Sequence, residues 1–335
     1  MYARITDRRL KPRPREPKKS STRTYLIVAY AATAAHLLNL VGMLVIYWSG
    51  FDGQKKRDSC FQTTVRFLKW SRVSNETVPS TSCGTSSSFN TSDGIFRIEE
   101  SSQLTTQYSM HWLIVLFHAL SFIFQGVVLV PRCYDYEKRI DKGTNSVRFF
   151  EYSISASVML ICLALLNGIT DQNELLMIAV LCGVTQLCGL ATEILLSEAT
   201  TLKKNSVAPG VASSLLWTSS MLHFSSWATL LTAYGVIWRY FLLSASGSED
   251  SQPPAFVYAI VMLLFLLFNS FGAVQVVQIS RYAWCQVRCR KYPFITADLA
   301  FNRRVELYYT LLSLVAKTLL GWMLYYNVLA MASEC

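Results

Sequence analysis

Charge is scarce in this chain, and the scarcity is uneven. Only 16% of the 335 residues are Asp, Glu, Lys or Arg, against about 25% in soluble domains. The deficit collects in long apolar runs, which argues against an ordinary soluble domain and for membrane helices. Histidine is rarer still, with four residues at no metal-ligand spacing, so no metal is expected. The nine cysteines form no CxxC pair. HExxH, a P-loop and a dinucleotide-type glycine run are all missing. Nothing argues for a hydrolase or a nucleotide-driven pump, and neither an enzyme nor a catalytic residue is expected. No stretch resembles a cleavable signal peptide, because the first residues form a basic, proline-broken tail that runs into an apolar segment.

What is present reads as an all-α membrane protein with seven spans, at 24–49, 109–130, 147–168, 173–196, 209–243, 255–280 and 303–331. Each exceeds the roughly 20 residues needed to cross the hydrocarbon core. The fifth is long enough to tilt or project into water. The organisation expected is a basic tail at 1–23, a membrane domain at 24–331 with a loop insertion at 50–108, and a short terminus at 332–335.

The net charge of +10 invites a nucleic-acid reading, but its distribution points to topology instead. The tail carries Arg4, Arg8, Arg9, Lys11, Arg13, Arg15, Lys18, Lys19 and Arg23, and the second–third, fourth–fifth and sixth–seventh connections add further Lys and Arg on the same side. The opposite side has the basic residues of the 50–108 loop and Arg239. This asymmetry predicts a cytoplasmic N-terminus and an extracellular C-terminus in a multi-pass protein of a cell or viral-host membrane. Lipid is then the surrounding partner, and nucleic acid is not expected. The tail remains open to an RNA or anionic-lipid role beside its topogenic one.

The 50–108 loop is too long for a plain connection. Thr63–Trp70 and Ile95–Ile98 alternate in a way that suits short strands. Asn75 and Asn90 open glycosylation sequons, and Cys60 and Cys83 are expected to form a disulfide on the oxidising side. Cys162, Cys182 and Cys188 read as small packing residues. Cys285 and Cys289 read as cytoplasmic thiols, with palmitoylation as the alternative.

Against this background Lys317 stands out. It lies alone in the apolar run 308–324, while every other lysine sits in the tail or a polar connection. An ammonium at membrane depth marks a functional site, and a buried lysine can be consumed as a Schiff base to an aldehyde. In a seven-helix bundle that aldehyde suggests retinal. A cation held there needs an anion nearby, and Glu151 of the third span is the candidate, with a pairing to Arg148 or a helix-end role as the bland alternative. Ser155 follows Glu151 by one turn and Ser313 precedes Lys317 by one turn, each on the same helix face. At 1.5 Å per residue, however, Lys317 lies roughly 20 Å from the start of its span and Glu151 much nearer the start of its own, a mismatch in height. Glu193 is expected in a polar network on the cytoplasmic half, which His36 and Gln125 could join. His111, His118 and His223 are weaker candidates.

Together these motifs resemble the heliorhodopsins, retinal proteins whose membrane orientation is opposite to that of ordinary microbial rhodopsins. Glu151-Tyr152-Ser153-Ile154-Ser155-Ala156-Ser157 is similar to the family's third-helix counterion motif, and Ser313-Leu314-Val315-Ala316-Lys317 to its retinal-lysine motif. Phe268-Asn269-Ser270-Phe271-Gly272-Ala273-Val274-Gln275 resembles its sixth-helix pocket pattern, and His36 and Glu193 fall where it carries a histidine and a fourth-helix glutamate. There are departures. The second-helix histidine aligns with Gln125, the fifth-helix Pro-Trp pair reads Ser226-Trp227, and Asn39 replaces a glutamine. The long tail and glycosylatable loop suggest a eukaryotic or eukaryote-virus source.

The resemblance implies a seven-helix rhodopsin-like bundle with a small β-structure in the extracellular loop. It further implies all-trans retinal on Lys317, a Glu151 counterion, tuning by Ser155 and Ser313, and pocket walls at Trp227, Phe268 and Asn269. A slow photocycle without active pumping follows, hence a light sensor with a cytoplasmic signalling partner, assembled as a homodimer. A light-gated proton channel or transporter, using Glu193, His36 and Glu151, is the alternative. A receptor or transporter without retinal is a third.

Overall fold

A backbone surrounded by lipid has to satisfy its own hydrogen bonds, so long apolar runs become helices. The computed structural model describes residues 20–49, 62–72, 88–91, 94–130, 135–204, 209–247, 252–288 and 295–332. Among the described residues the helices are α1 (Ser20–Ser49), α2 (Met110–Leu129), α3 (Tyr136–Lys142), α4 (Ser146–Leu166), α5 (Gln172–Lys204), α6 (Pro209–Ala245), α7 (Ala255–Arg288) and α8 (Ile295–Ala332). All seven expected spans fall on helices. Several run further than expected, with α5 and α7 extending past their predicted ends and α8 beginning before its predicted start.

Six of the long helices are apolar enough to cross a membrane. The fifth expected span, α6, has the length but more hydroxyl groups. Those hydroxyls turn back onto its own carbonyls: Ser219 to Leu216 at 2.7 Å, Ser226 to His223 at 2.7 Å and Thr232 to Ala228 at 2.8 Å. Satisfied in this way, they cost little in an apolar setting.

The long helices pack in chain order, α1–α2–α4–α5–α6–α7–α8, and α8 closes the ring against α1. Within it, α4 is the most enclosed, with 72% of its apolar window buried. Phe117, Leu160, Leu163, Ile237, Leu264 and Tyr325 are among the fully buried core residues.

The loop between α1 and α2 holds an antiparallel sheet of β1 (Gln62–Arg72), β2 (Ser88–Thr91) and β3 (Gly94–Ser109), ordered β1-β3-β2. Both expected strands lie within it, but β3 runs on to the first residue of α2 because it pairs with the whole of β1, and β2 was not foreseen. Asn90 lies in β2. Cys60, Cys83, Asn75, Cys289, most of the 1–23 tail and residues 333–335 lie outside the described residues.

The second–third connection contains α3, which ends in a glycine cap at Gly143 with φ 79°. A Cβ there would sit 3.0 Å from Asn302 Nδ2. The close approach lets α8 clamp α3. Arg303 makes two hydrogen bonds to the Asp141 carboxylate, at 3.0 and 3.2 Å, and Asn302 Nδ2 donates to Asp141 O at 3.2 Å. Asn145 then caps α4 by accepting from Arg148 N at 3.3 Å.

Candidate functional site

Lys317 on α8 and Glu151 on α4 form a buried ion pair through Lys317 Nζ and Glu151 Oε1. Their exposures are 3% and 2%. The height mismatch is absorbed by side chains. The lysine stem leans toward the start of its helix, and one turn before Glu151 the long Arg148 reaches Glu306, which lies three turns before Lys317, roughly 16 Å along the axis.

Hydroxyls complete the pair. Ser155 Oγ donates to Glu151 Oε1 at 2.9 Å. Ser121 of α2 accepts from Lys317 Nζ at 2.5 Å and donates to Glu151 Oε1 at 2.7 Å. Ser121 went unnoticed in the sequence, although His118, Ser121 and Gln125 share one face of an apolar helix. Ser313 is buried, with its hydroxyl beside the Tyr152 phenol and not on the ion pair.

A narrow apolar cavity begins at Lys317, walled by Ala156, Met159, Phe268, Phe271 and Ala316 and bordered by Ser313. It shares Tyr152, Gln186, Phe268 and Phe271 with a second cavity that reaches Trp227, Leu230 and Gly272. A Cβ at Gly272 would collide with the Trp227 ring, so glycine there makes room for that indole. Trp227 and Phe268 are wall residues. Asn269 instead donates to Phe265 O at 2.7 Å and lines neither cavity. The combined space is long and mostly apolar, and it ends on an amine. These features fit an elongated apolar aldehyde such as retinal.

The single polar network expected from His36, Asn39, Gln125 and Glu193 divides into two clusters on either side of the Lys317–Glu151 pair. Toward the start of α4, Arg148 bridges Glu193 of α5 and Glu306 of α8. Asn145 donates its backbone N–H to Glu193 Oε2 at 3.2 Å and its side-chain amide to Glu306 Oε1 at 2.8 Å. Tyr136 of α3 donates to Glu306 Oε1 at 3.1 Å. Burial, reinforced by the Glu306 carboxylate, pushes the Tyr136 phenol well above its ordinary pKa and keeps it a donor. The guanidinium lies 4.1 Å from the centroid of the Tyr309 ring. Although Arg148 sits at the start of the third span beside the basic residues of that connection, it and Glu306 are both buried.

On the other side, His36 Nδ1 lies 3.3 Å from His118 Nδ1. His118 also packs on Gly321, one turn beyond Lys317, where a Cβ would come within 2.6 Å of its Nε2. Asn39 donates to Thr318 Oγ1 at 2.9 Å and accepts from Trp322 Nε1 at 3.0 Å. The second-helix residue that meets His36 is thus His118 and not Gln125. The two lie seven residues apart on one face of α2, so helical spacing alone could not choose between them. His223 bonds Gln275 at 3.0 Å, away from both clusters. Cys162, Cys182 and Cys188 are free thiols, the first two buried. Among the described residues no group of three potential metal ligands occurs.

Removing Arg148 leaves two buried carboxylates facing each other. Taking one partner from a buried ion pair costs about 3–5 kcal/mol, so Arg148→Ala is expected to lower the unfolding temperature of detergent-solubilised protein markedly. Adding Glu193→Gln and Glu306→Gln should recover part of the loss. An unchanged melting curve for Arg148→Ala would contradict a structural role for the cluster.

A family model described as heliorhodopsin matches residues 73–329, well over half of the chain. The matched segment contains Glu151, Glu193, Glu306 and Lys317, and leaves α1, with His36 and Asn39, outside. No curated protein matches the chain.

Proposed function

Because the chain belongs to the heliorhodopsin family, whose members are retinal photoreceptors, we propose that it is a light sensor carrying all-trans retinal on Lys317. The observation that carries this reading is a lysine buried at the end of a long apolar cavity, paired with one carboxylate. When bound, retinal supplies a light-driven isomerisation next to the lysine nitrogen. The protein's own residues do the rest. Lys317 would hold the chromophore through its amine, and Glu151, already paired with that nitrogen, would serve as counterion. Ser155 and Ser121 hold the Glu151 oxygen in place. Phe268, Phe271 and Met159 exclude water from the chain of the ligand, and Trp227 closes the far end.

The charge asymmetry supports a cytoplasmic N-terminus, with the sheet outside. In this reading the protein cycles slowly, does not pump, and signals as a homodimer to a cytoplasmic partner. A light-gated proton conductance is the second reading, favoured by the cavity that joins Glu151 to Glu306. Whole-cell voltage clamp with retinal present and external pH varied separates the two. The sensor should give no photocurrent although coloured protein is at the cell surface. A photocurrent whose reversal potential follows the proton gradient would replace the sensory reading with conduction.

A further inference from the structure

Glu151 borders a space distinct from the apolar cavity that ends on Lys317. On its α2 side lies a cavity lined by Gln125, Glu151, Arg148, Asn145, Glu306 and Tyr136. A larger one lies against it between α1, α2 and α3, and Val128, Leu129 and Tyr136 line both. The outer cavity opens among Asp135, Glu137 and Lys138, which are exposed. The side chains of Lys138 and Asp135 are 78% and 65% accessible, so this mouth faces water. A chain of spaces therefore leads from the aqueous side of α3 to the carboxylate beside Lys317.

Two further observations mark the inner space as wet. Gln125 Oε1 and Arg148 Nε are buried in its wall without a hydrogen-bond partner. Buried polar atoms of this kind are ordinarily satisfied by water, and the cavity has room for it. Tyr136 lines both spaces, beside the apolar Val128 and Leu129. Tyr136 is 7% exposed, packs on Tyr25 with ring centroids 6.0 Å apart, and is held by its hydrogen bond to Glu306.

We propose that the two cavities form one aqueous port carrying protons between the α3 surface and Glu151, with Tyr136 as its gate and Glu306 as its inner carboxylate. The transfer is balanced within the chain. A proton that Glu151 Oε1 has accepted from the Lys317 nitrogen joins a Glu306 oxygen, Arg148 keeps Glu193 as its partner, and the proton passes to water beyond Tyr136. Return follows the same path, and nothing is oxidised or reduced. The groups facing Glu306 are Tyr136 from α3, Tyr25 behind it from α1, Arg148 from α4, Glu193 across the guanidinium from α5 and Tyr309 on its own helix. From α7 the group nearest the cluster is the neutral Gln278, 3.5 Å from Glu193. The port avoids His36 and His118, which line neither cavity. It rests on the retinal reading for its use, but its existence does not.

The test is thiol accessibility to silver ion, a thiophilic cation of nearly water size, in membranes prepared without retinal. Leu129→Cys, Gln125→Cys and, as a control in the other cluster, Asn39→Cys are each exposed to Ag⁺. Unreacted thiols are then alkylated under denaturing conditions and read peptide by peptide, so native cysteines do not interfere. Leu129→Cys and Gln125→Cys should be protected by silver, the former sooner, while Asn39→Cys is not. Tyr136→Ala should speed protection of Gln125→Cys several-fold. Protection of Gln125→Cys no faster than that of Asn39→Cys overturns the port, and no effect of Tyr136→Ala overturns the gate. A monodisperse profile in size-exclusion chromatography is required of each variant, and Leu129→Cys keeps the test open if Gln125→Cys fails that criterion. Protein that is protected as expected but never colours with retinal would retain the port and remove the retinal reading.

Discussion

Lys317→Ala is expected to abolish the visible absorption that all-trans retinal confers on the wild-type protein. No other described lysine borders the apolar cavities, and Lys138, for comparison, is exposed on α3. A Schiff base needs an amine, and alanine offers none. The substitution also strands Glu151 as a buried carboxylate, at a cost of about 3–5 kcal/mol, so loss of colour could be mistaken for loss of fold. The double variant Lys317→Ala/Glu151→Gln removes both members of the pair and should recover stability while remaining colourless. A visible band in the double variant, reconstituted in the same way, would show that the chromophore is attached elsewhere.

Glu151→Gln is expected to move the band to longer wavelength. A carboxylate against the lysine nitrogen holds the positive charge at that end of the chromophore in the dark. With a neutral amide in its place, the charge spreads along the conjugated chain and the excitation energy falls. The amide keeps the size of the side chain, and its oxygen can still accept from Ser155 and Ser121, so packing changes little and charge is the variable tested. Ser121 and Ser155 adjust only the strength of that charge, and their alanine variants should shift the band less. An unchanged maximum in Glu151→Gln would remove Glu151 from the counterion role and direct attention to the carboxylates around Arg148.

The lysine and its carboxylate were legible in the sequence because burying a charge is expensive, so each stood out against an apolar run. Their meeting was not legible, since heights along helices depend on where each helix begins. Here α8 starts well before its apolar run and is clamped to α3 through Asp141 and Arg303. Ser121 escaped notice because a serine in an apolar helix usually bonds its own backbone. It has such an option here, with Phe117 O at 3.0 Å, yet it also joins the ion pair. Arg148 passed for a topogenic charge because it lies in the first turn of α4. Only the tertiary structure brings Glu193 and Glu306 to it. The sheet was half visible. Alternation marked the two strands that pair along their length, whereas β2 has only four residues and too little pattern to read.

The most direct measurement is to reduce the coloured protein with borohydride, which fixes a Schiff base as a stable secondary amine, and to locate the retinyl group by peptide mass spectrometry. The group should be found on the peptide that contains Lys317 and on no other. A retinyl group on a different lysine, or none in protein that is visibly coloured, would contradict covalent binding at Lys317.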